Sequence, residues 1–495
     1  MKIFFLRNAA LSITSSVLIC TINSSLAGQQ SSAPIGKSKP DNAVIKENRR
    51  PGTRDWLLTN VQPVTAVTRD DPFQRRRAIE GYCARASVRA GESLDCFVGT
   101  DTASKYKVEV YRLGYYGGDG GRLVSTLGPF TGATQPDPIE GPKQLMESKW
   151  KKSFEIKIPA DWLSGVYLGK LTSLDRGYQS YLVFIVRDDR RADFIFQCSD
   201  LTWQAYNRWP GWRSLYDWGT NKWHTSVGAE VSFDRPYGIY YNLLPSEFNP
   251  LSNGSGEFLL WEFPLAFWME KEGYDVTYIS NLDTHGDPNG LLRARGFLSV
   301  GHDEYWTEEM FQNVARARDS GISLAFFSGN SVSGRIYLKP STDGRPSRIF
   351  GRIETFRGEQ ELMGATSYGV GAADWICVKP NHWVFEGTGI KEGDGIPQLV
   401  GWEYHGPPLR DDPNLTVLAR GKVKVYSNLT DKEYASTIYL GPKGNFVFNA
   451  GTCWWNMVIS KPPGYKNPPK VEFQTDARVE RMTKNILAQM IRQQR

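Results

Sequence analysis

The sequence predicts an α/β protein preceded by an all-β domain. Three observations carry that prediction. Short alternating runs with turn residues between them fill residues 76–188. Strand and helix patterns alternate from residue 189 onward. Hydrophobic content of 40% with 23% charged residues suits a globular chain, and 495 residues are too many for one ordinary domain.

Residues 1–27 read as a secretory signal. Lys2 and Arg7 supply the basic start, "AALSITSSVLICTI" the apolar core, and "SLA" before Gly28 a small-residue cleavage site. The apolar run is short for a membrane span. Ile19 before Cys20 is too bulky for a lipid-attachment box. The chain is therefore expected to be exported, periplasmic or secreted, with no membrane span left after cleavage. Residues 28–75 are polar and read as a linker or partly disordered arm. The net charge of +6 owes much to "GKSK", "KENRR" and "FQRRR" there. That is the pattern of a solvated basic tail, and no nucleic-acid partner is expected.

In residues 76–188, "ARASVRAGESLDCFVGT", "YKVEVYRLGYYGGDGG", "KSFEIKIP" and "GVYLGKLTS…QSYLVFIVRD" give an antiparallel β-sandwich. "YYGGDGGR" suits a tight turn with positive φ. Cys83 and Cys96 fall on neighbouring strands. They are read as a disulfide in an oxidising compartment, with two buried thiols as the alternative. Cys198, Cys377 and Cys453 complete an odd set of five, so one stays unpaired within the chain, and their spacings match no zinc module.

From 189 to 495, "DFIFQ", "VTYIS", "FLSV" and "ISLAFFS" read as buried strands. Residues 257–273 have helical spacing and a glycine stop, with Pro264 near the start or at a kink. Residues 307–321 form a helix capped by Thr307 and stopped by Gly321. Such alternation gives a parallel sheet with helices on both faces. A β-rich part and an amphipathic helix near 477–493 close the chain.

In open parallel sheets, ligands bind beyond the carboxyl ends of the strands. Asp200 follows the first strand, ahead of the aromatic loop with Trp203, Tyr206 and Asn207. Asp283 and His285 follow the second. "GHDEYW" (Gly301–Trp306) follows the third, and Asn330 the fourth. His302 thus stands where side chains gather around a ligand, although a helix entry with a polar turn would read alike. The Trp-rich loop 203–218 reads equally as substrate wall and as interdomain packing. A second polar cluster holds His382, Glu386, Glu403 and His405. No zinc-binding helix motif, serine elbow or phosphate loop is present. Tyrosinate and carboxylate ligands would suit iron(III) better than zinc.

The strings "IEGYCARASVRAGESL", "VEVYRLGYYGGDGGRLV", "TWQAYNRW", "FLSVGHDEYWT", "LAFFSGN", "HWVFEGTGI" and "FNAGTCWW", in this order over residues 78–490, resemble the N,N-dimethylformamidase large (β) subunit family, in particular its exported relatives. The resemblance implies an immunoglobulin-like sandwich joined to a domain like the class I glutamine amidotransferases. It also implies amide hydrolysis at a mononuclear iron held by two tyrosines and a glutamate. Carried over by residue, Tyr305 matches one phenolate, and Glu403 the carboxylate, with Glu386 as rival. The second phenolate is expected at Phe263, which has no oxygen, so Tyr206, Tyr237 or Tyr278 must replace it or the iron site is degraded.

The reading is a hydrolase of a non-peptide C–N bond in a small amide. His302 and Glu304, with Asp303, are acid/base candidates, and Tyr305 is a metal ligand or oxyanion donor. Asp200, Trp203, Tyr206, Asn207, His285 and Asn330 are expected to line the substrate pocket. A homo-oligomer or a small partner subunit is compatible with this reading. Two rivals remain: an aromatic-rich glycan-binding protein that has lost the chemistry, favoured by Phe263, and a carbohydrate-derivative hydrolase using Asp303 with Glu386.

Overall fold

In a computed structural model that describes residues 41–63, 75–217, 228–238, 252–355, 358–425, 428–468 and 471–493, the run "QSYLVFIVR" becomes the strand Gln179–Arg187. It shows how the two halves join. Leu182, Phe184 and Val186 point into the sandwich core, while Tyr181, Val183 and Ile185 point into the core of the α/β part. Alternation along a strand sends successive side chains to opposite faces. Here both faces are apolar, so both are covered.

The sandwich has two sheets. Three strands run in the order Glu80–Cys83, Ser93–Gly99, Phe154–Lys157. Five run in the order Ser87–Arg89, Gln179–Arg187, Gly165–Ser173, Lys105–Leu113, Gly121–Thr131. The glycine turn behaves as expected: Gly117, Gly118 and Gly120 have φ of 68°, 102° and 80°. Cys83 lies directly opposite Cys96. The expected bridge is not closed; both are buried free thiols with Sγ atoms 4.0 Å apart, a contact distance about twice that of an S–S bond.

A seven-stranded sheet organises the α/β part. Its order is Val276–Ser280, Ala192–Cys198, Ala294–Gly301, Ser323–Ser328, Phe446–Asn449, Asn428–Leu440, Leu415–Val425. The first five strands are parallel, and the hairpin that precedes Phe446–Asn449 in the chain extends the sheet by two antiparallel pairings, so that only Asn428–Leu440 runs against the rest. After Cys198 the chain crosses to one side of its strand, and after Ser280 to the other. This reversal opens a crevice at the carboxyl ends of Ala192–Cys198 and Ala294–Gly301. The helix expected at 257–273 starts as a π-helical turn, Phe258–Glu262, and continues as the α-helix Phe263–Lys271 with Pro264 in its first turn. Thr307 caps Glu308–Asp319 as expected.

The described residues from Asp41 onward form one compact unit, in which the last sandwich strand ends at Arg187 and the first strand of the α/β part begins at Ala192. The signal segment and residues 28–40 lie outside the described residues, as do 64–74. Part of the expected arm is structured instead. Ala43–Asn48 is a helix, and Val44 and Trp56 are fully buried. Asn42 donates to the Gly273 carbonyl at 3.0 Å. The apolar residues spaced through this polar stretch are what dock it. Among the described residues, no helix is long and apolar enough to cross a membrane.

Candidate functional site

Gly301 ends its strand at φ 79°, where a Cβ would meet Trp261 Cβ at 2.8 Å and Glu262 Cγ at 2.9 Å. Glycine is needed there on both counts, and the chain turns at once into His302–Tyr305. Asp303 faces the sheet. Its carboxylate accepts from Ser299 Oγ at 2.7 Å, Gln197 Nε2 at 2.6 Å and Asn281 Nδ2 at 3.0 Å. That carboxylate ties strand ends together, an arrangement that leaves it no free oxygen for the acid/base role expected of it.

Glu304 meets two tyrosines. Tyr206 donates to Oε2 at 2.6 Å and Tyr216 to Oε1 at 3.1 Å, while the two hydroxyls lie 3.2 Å apart. The Tyr305 hydroxyl pairs with that of Tyr216, and the Arg352 guanidinium lies 4.7 Å from the Tyr216 ring centroid. Tyr206 and Tyr216 belong to one Trp-rich loop, which the buried Arg235 shapes. Its guanidinium donates to the carbonyls of Trp209 and Arg213 at 2.7 and 2.8 Å, and to those of Gln204 and Asn207 at 3.1 Å. An Arg208–Asp217 ion pair closes the loop at 2.6 Å.

On the other flank, His302 Nε2 lies 2.6 Å from Glu403 Oε2 and 3.4 Å from Glu304 Oε2. Asn330 Nδ2 donates to the same Glu403 oxygen at 2.9 Å. Ligand atoms of His302, Glu304 and Glu403 all fall within 4.8 Å of one another, and all three residues are buried. Neither ring nitrogen of His302 makes a well-directed hydrogen bond despite that proximity. Rings of Tyr206, Trp402 and Trp261 stand 5.3, 5.4 and 6.5 Å from the imidazole.

The site is loaded with acid. Burial pulls the His302 pKa down, but Glu403, Glu304 and Glu257 outweigh it and hold the imidazole up at about 9. Burial raises Glu304, and the charge of Glu403 adds to this. Glu257 is pushed up to about 8 by burial, against which the nearby His302 charge and the Trp261 side chain pull it down. Burial, then Glu304, pushes Tyr206 and Tyr305 well above the usual phenol range, and Tyr216 likewise. A cation among these oxygens would reverse that balance. Tyr206, Tyr216 and Glu304 are hard oxygen donors already grouped around one point, a set that fits a ferric ion.

The expected pocket residues do not share one cavity. His302, Asn330 and Tyr206 come together. Asp200 instead lines a small cavity at the seam with the sandwich, together with Trp203, Tyr237 and Cys83. Trp203 donates to Glu262 Oε1 at 2.7 Å, away from the cluster. Asn207 braces its own loop through Trp209 N and Gly238 N, both at 3.0 Å. His285 sits in a separate surface cleft, 2.9 Å from Thr307 Oγ1. Strand ends share a rim, but helix entries such as Asn281–Gly286 turn their side chains off it.

Of the two carboxylates offered as metal ligands, Glu403 is buried in the cluster, and Tyr305 is buried beside it. Glu386 is exposed, so the second polar cluster splits, leaving Glu403 and His405 inside. Phe263 packs between Trp56 and Phe258, at 5.7 Å from each, in the apolar core. Its missing hydroxyl removes nothing from the cluster. Tyr278 donates to Glu270 at 3.0 Å, elsewhere in the core. Sequence reading missed Tyr216 and Arg352. Tyr216 stands ten residues beyond Tyr206 in a loop with no periodicity, and the Arg235 contacts, the Arg208–Asp217 pair and the Leu215 N–H donated to Ala205 O bring it back.

A family model described as N,N-dimethylformamidase beta subunit-like, C-terminal, matches residues 107–467. No curated protein matches the chain.

Proposed function

The chain belongs to the N,N-dimethylformamidase beta subunit-like family, and from that premise we propose that it hydrolyses the C–N bond of a small amide at a ferric centre held by Tyr206, Tyr216 and Glu304. The carrying observation is the mutual approach of those three donors at 2.6, 3.1 and 3.2 Å beside the His302–Glu403–Asn330 group. Iron bound there would supply Lewis acidity toward the amide carbonyl.

The chain's own residues supply proton transfer. Glu403, oriented by Asn330, accepts a proton from the attacking water. His302, charged at neutral pH by its acidic neighbours, stands ready at Nε2 to protonate the departing amine nitrogen. Amide and water become carboxylic acid and amine, and the two side chains return to their starting states once a proton passes from Glu403 to His302. Tyr206, Trp402 and Trp261 wall the reacting centre and shield it from bulk solvent, leaving room for the one attacking water.

In this reading the two layers are an immunoglobulin-like sandwich and an amidotransferase-like α/β domain, in an exported protein that works with a small partner subunit or as a homo-oligomer. The glycan-binding rival loses its main support, because Phe263 lies outside the cluster. The carbohydrate-hydrolase rival needs Asp303 and Glu386 at one sugar ring, and neither carboxylate is available to it. Incubation with N,N-dimethylformamide tests the proposal: formate and dimethylamine should appear, and Glu403→Gln should lower kcat by about 10²- to 10⁴-fold. A wild-type protein that is loaded with iron yet inert toward small amides would contradict it.

A further inference from the structure

Asn330 and Val332 have φ of 52° and 59°. Left-handed backbone is uncommon outside glycine and is most unfavourable for a β-branched residue. Such a conformation persists only where its surroundings hold it. One side of the hold comes from the "GHDEYW" segment: Val332 N donates to Asp303 O at 3.1 Å and Gly334 N to Glu304 O at 2.9 Å. The other side comes from the strand Glu403–Gly406. Glu403 and His405 are two apart, so they share a face. Glu403 takes the Asn330 side chain, and His405 Nε2 accepts the Ser331 backbone N–H at 2.8 Å.

That bond fixes the tautomer. With Nε2 accepting, the ring proton sits on Nδ1 and is donated to Asn449 Oδ1. Asn449 Oδ1 also accepts from Gly451 N at 2.9 Å and so is anchored at the end of the strand Phe446–Asn449. His405 is fully buried, so no water can replace it as the acceptor for Ser331.

Resting on the functional reading above, we propose that His405 is a positioning residue: by accepting the Ser331 N–H it holds Asn330 in its left-handed conformation and thereby orients the Glu403 carboxylate beside His302. It touches none of the groups assigned to proton transfer or metal binding. The sequence "EYH" supplies both halves of this clamp, the carboxylate and the residue that secures the carboxylate's partner.

The test uses His405→Leu and His405→Gln in the full chain, the amide oxygen of glutamine being able to accept the same N–H. His405→Leu should lower kcat on N,N-dimethylformamide by about 10- to 100-fold, with KM within about threefold of wild type. His405→Gln should recover most of that loss. Amide hydrogen exchange gives a readout independent of turnover. Protection of residues 328–334 should fall in His405→Leu and return in His405→Gln, with the strand Ser323–Ser328 unchanged. Wild-type kcat and protection in His405→Leu would overturn the inference. So would a loss of protection throughout the sheet that His405→Gln fails to rescue, which marks His405 as a packing residue. If the wild type does not turn over the amide, the functional reading fails, and the exchange measurement decides alone whether His405 holds the loop.

Discussion

Two of the buried charged clusters among the described residues are built in opposite ways. At the seam, Arg112 and Glu270 are both fully enclosed and meet at 2.9 Å. Each Glu270 oxygen accepts two bonds: Oε1 from Arg112 and Tyr278, Oε2 from Arg112 and Asn48. At the sheet's carboxyl edge, one imidazole faces Glu304, Glu403 and Glu257, and among the described residues no guanidinium forks onto any of the three carboxyls as Arg112 does on Glu270. Burial is the same; charge balance is not. The first cluster joins the docked arm, the sandwich and the α/β layer. The second gathers three carboxyl groups, two of them raised by burial, with phenol oxygens around one imidazole, an arrangement typical of functional sites rather than of structural ion pairs.

The contrast predicts opposite responses to neutralisation. Arg112→Met should leave a buried carboxylate unpaired and cost about 3–5 kcal/mol in denaturant unfolding. An unchanged midpoint would remove the seam cluster from the structural account. Next in size is a pH effect near the site. Burial lowers the His405 pKa from 6.5 to about 4. A folded value below the unfolded one means the unfolded chain binds the extra proton. Stability should therefore be complete above pH 6.5 and fall by about 3 kcal/mol as the pH drops toward 4. His405→Gln should lack that component, and a variant with the wild-type pH slope would assign it to other groups.

The sandwich offers a third comparison, since its two thiols carry no charge burden. Ala84 N donates to Asp95 O, which makes Cys83–Cys96 a non-hydrogen-bonded pair, the closer of the two antiparallel arrangements. Refolding with glutathione disulfide should link them, seen as a linked peptide, and raise stability by about 3 kcal/mol. Quantitative alkylation of both residues after that treatment would show that the pair does not bridge. The smallest effect belongs to the acidic site itself: in metal-free protein, Glu304→Gln should be neutral or stabilising by about 1 kcal/mol. A loss of several kcal/mol would place Glu304 with the seam cluster instead.

These contrasts also show what the sequence could reveal. The parallel strands were legible because "DFIFQ", "VTYIS", "FLSV" and "ISLAFFS" are apolar, short and punctuated by turn or helix signals. His302 and Glu304 were legible because they follow such a strand directly. The pairing of Tyr206 with Tyr216 was not, since a loop wrapped around Arg235 leaves no period to read. The seam was hidden for a related reason: apolar residues on both faces of Gln179–Arg187 look the same whether one neighbour or two cover them. The packing of the α/β layer against the outer face of that strand was therefore not readable from its pattern. Phe263 misled because a family position was assigned by chain order, while the cluster is assembled by a different loop.

The proposed metal-binding corner is Tyr206, Tyr216 and Glu304, and the Tyr305 hydroxyl reaches it only through its pairing with Tyr216. Metal content and visible absorption of wild type, Tyr216→Phe and Tyr305→Phe, all purified alike, test it most directly. The account predicts about one iron per chain with a phenolate-to-iron band in the wild type. It predicts loss of iron and band in Tyr216→Phe, and retention of both in Tyr305→Phe. Retention of iron by Tyr216→Phe together with its loss from Tyr305→Phe would contradict the assignment, and a wild type free of metal after growth in iron would contradict the centre itself.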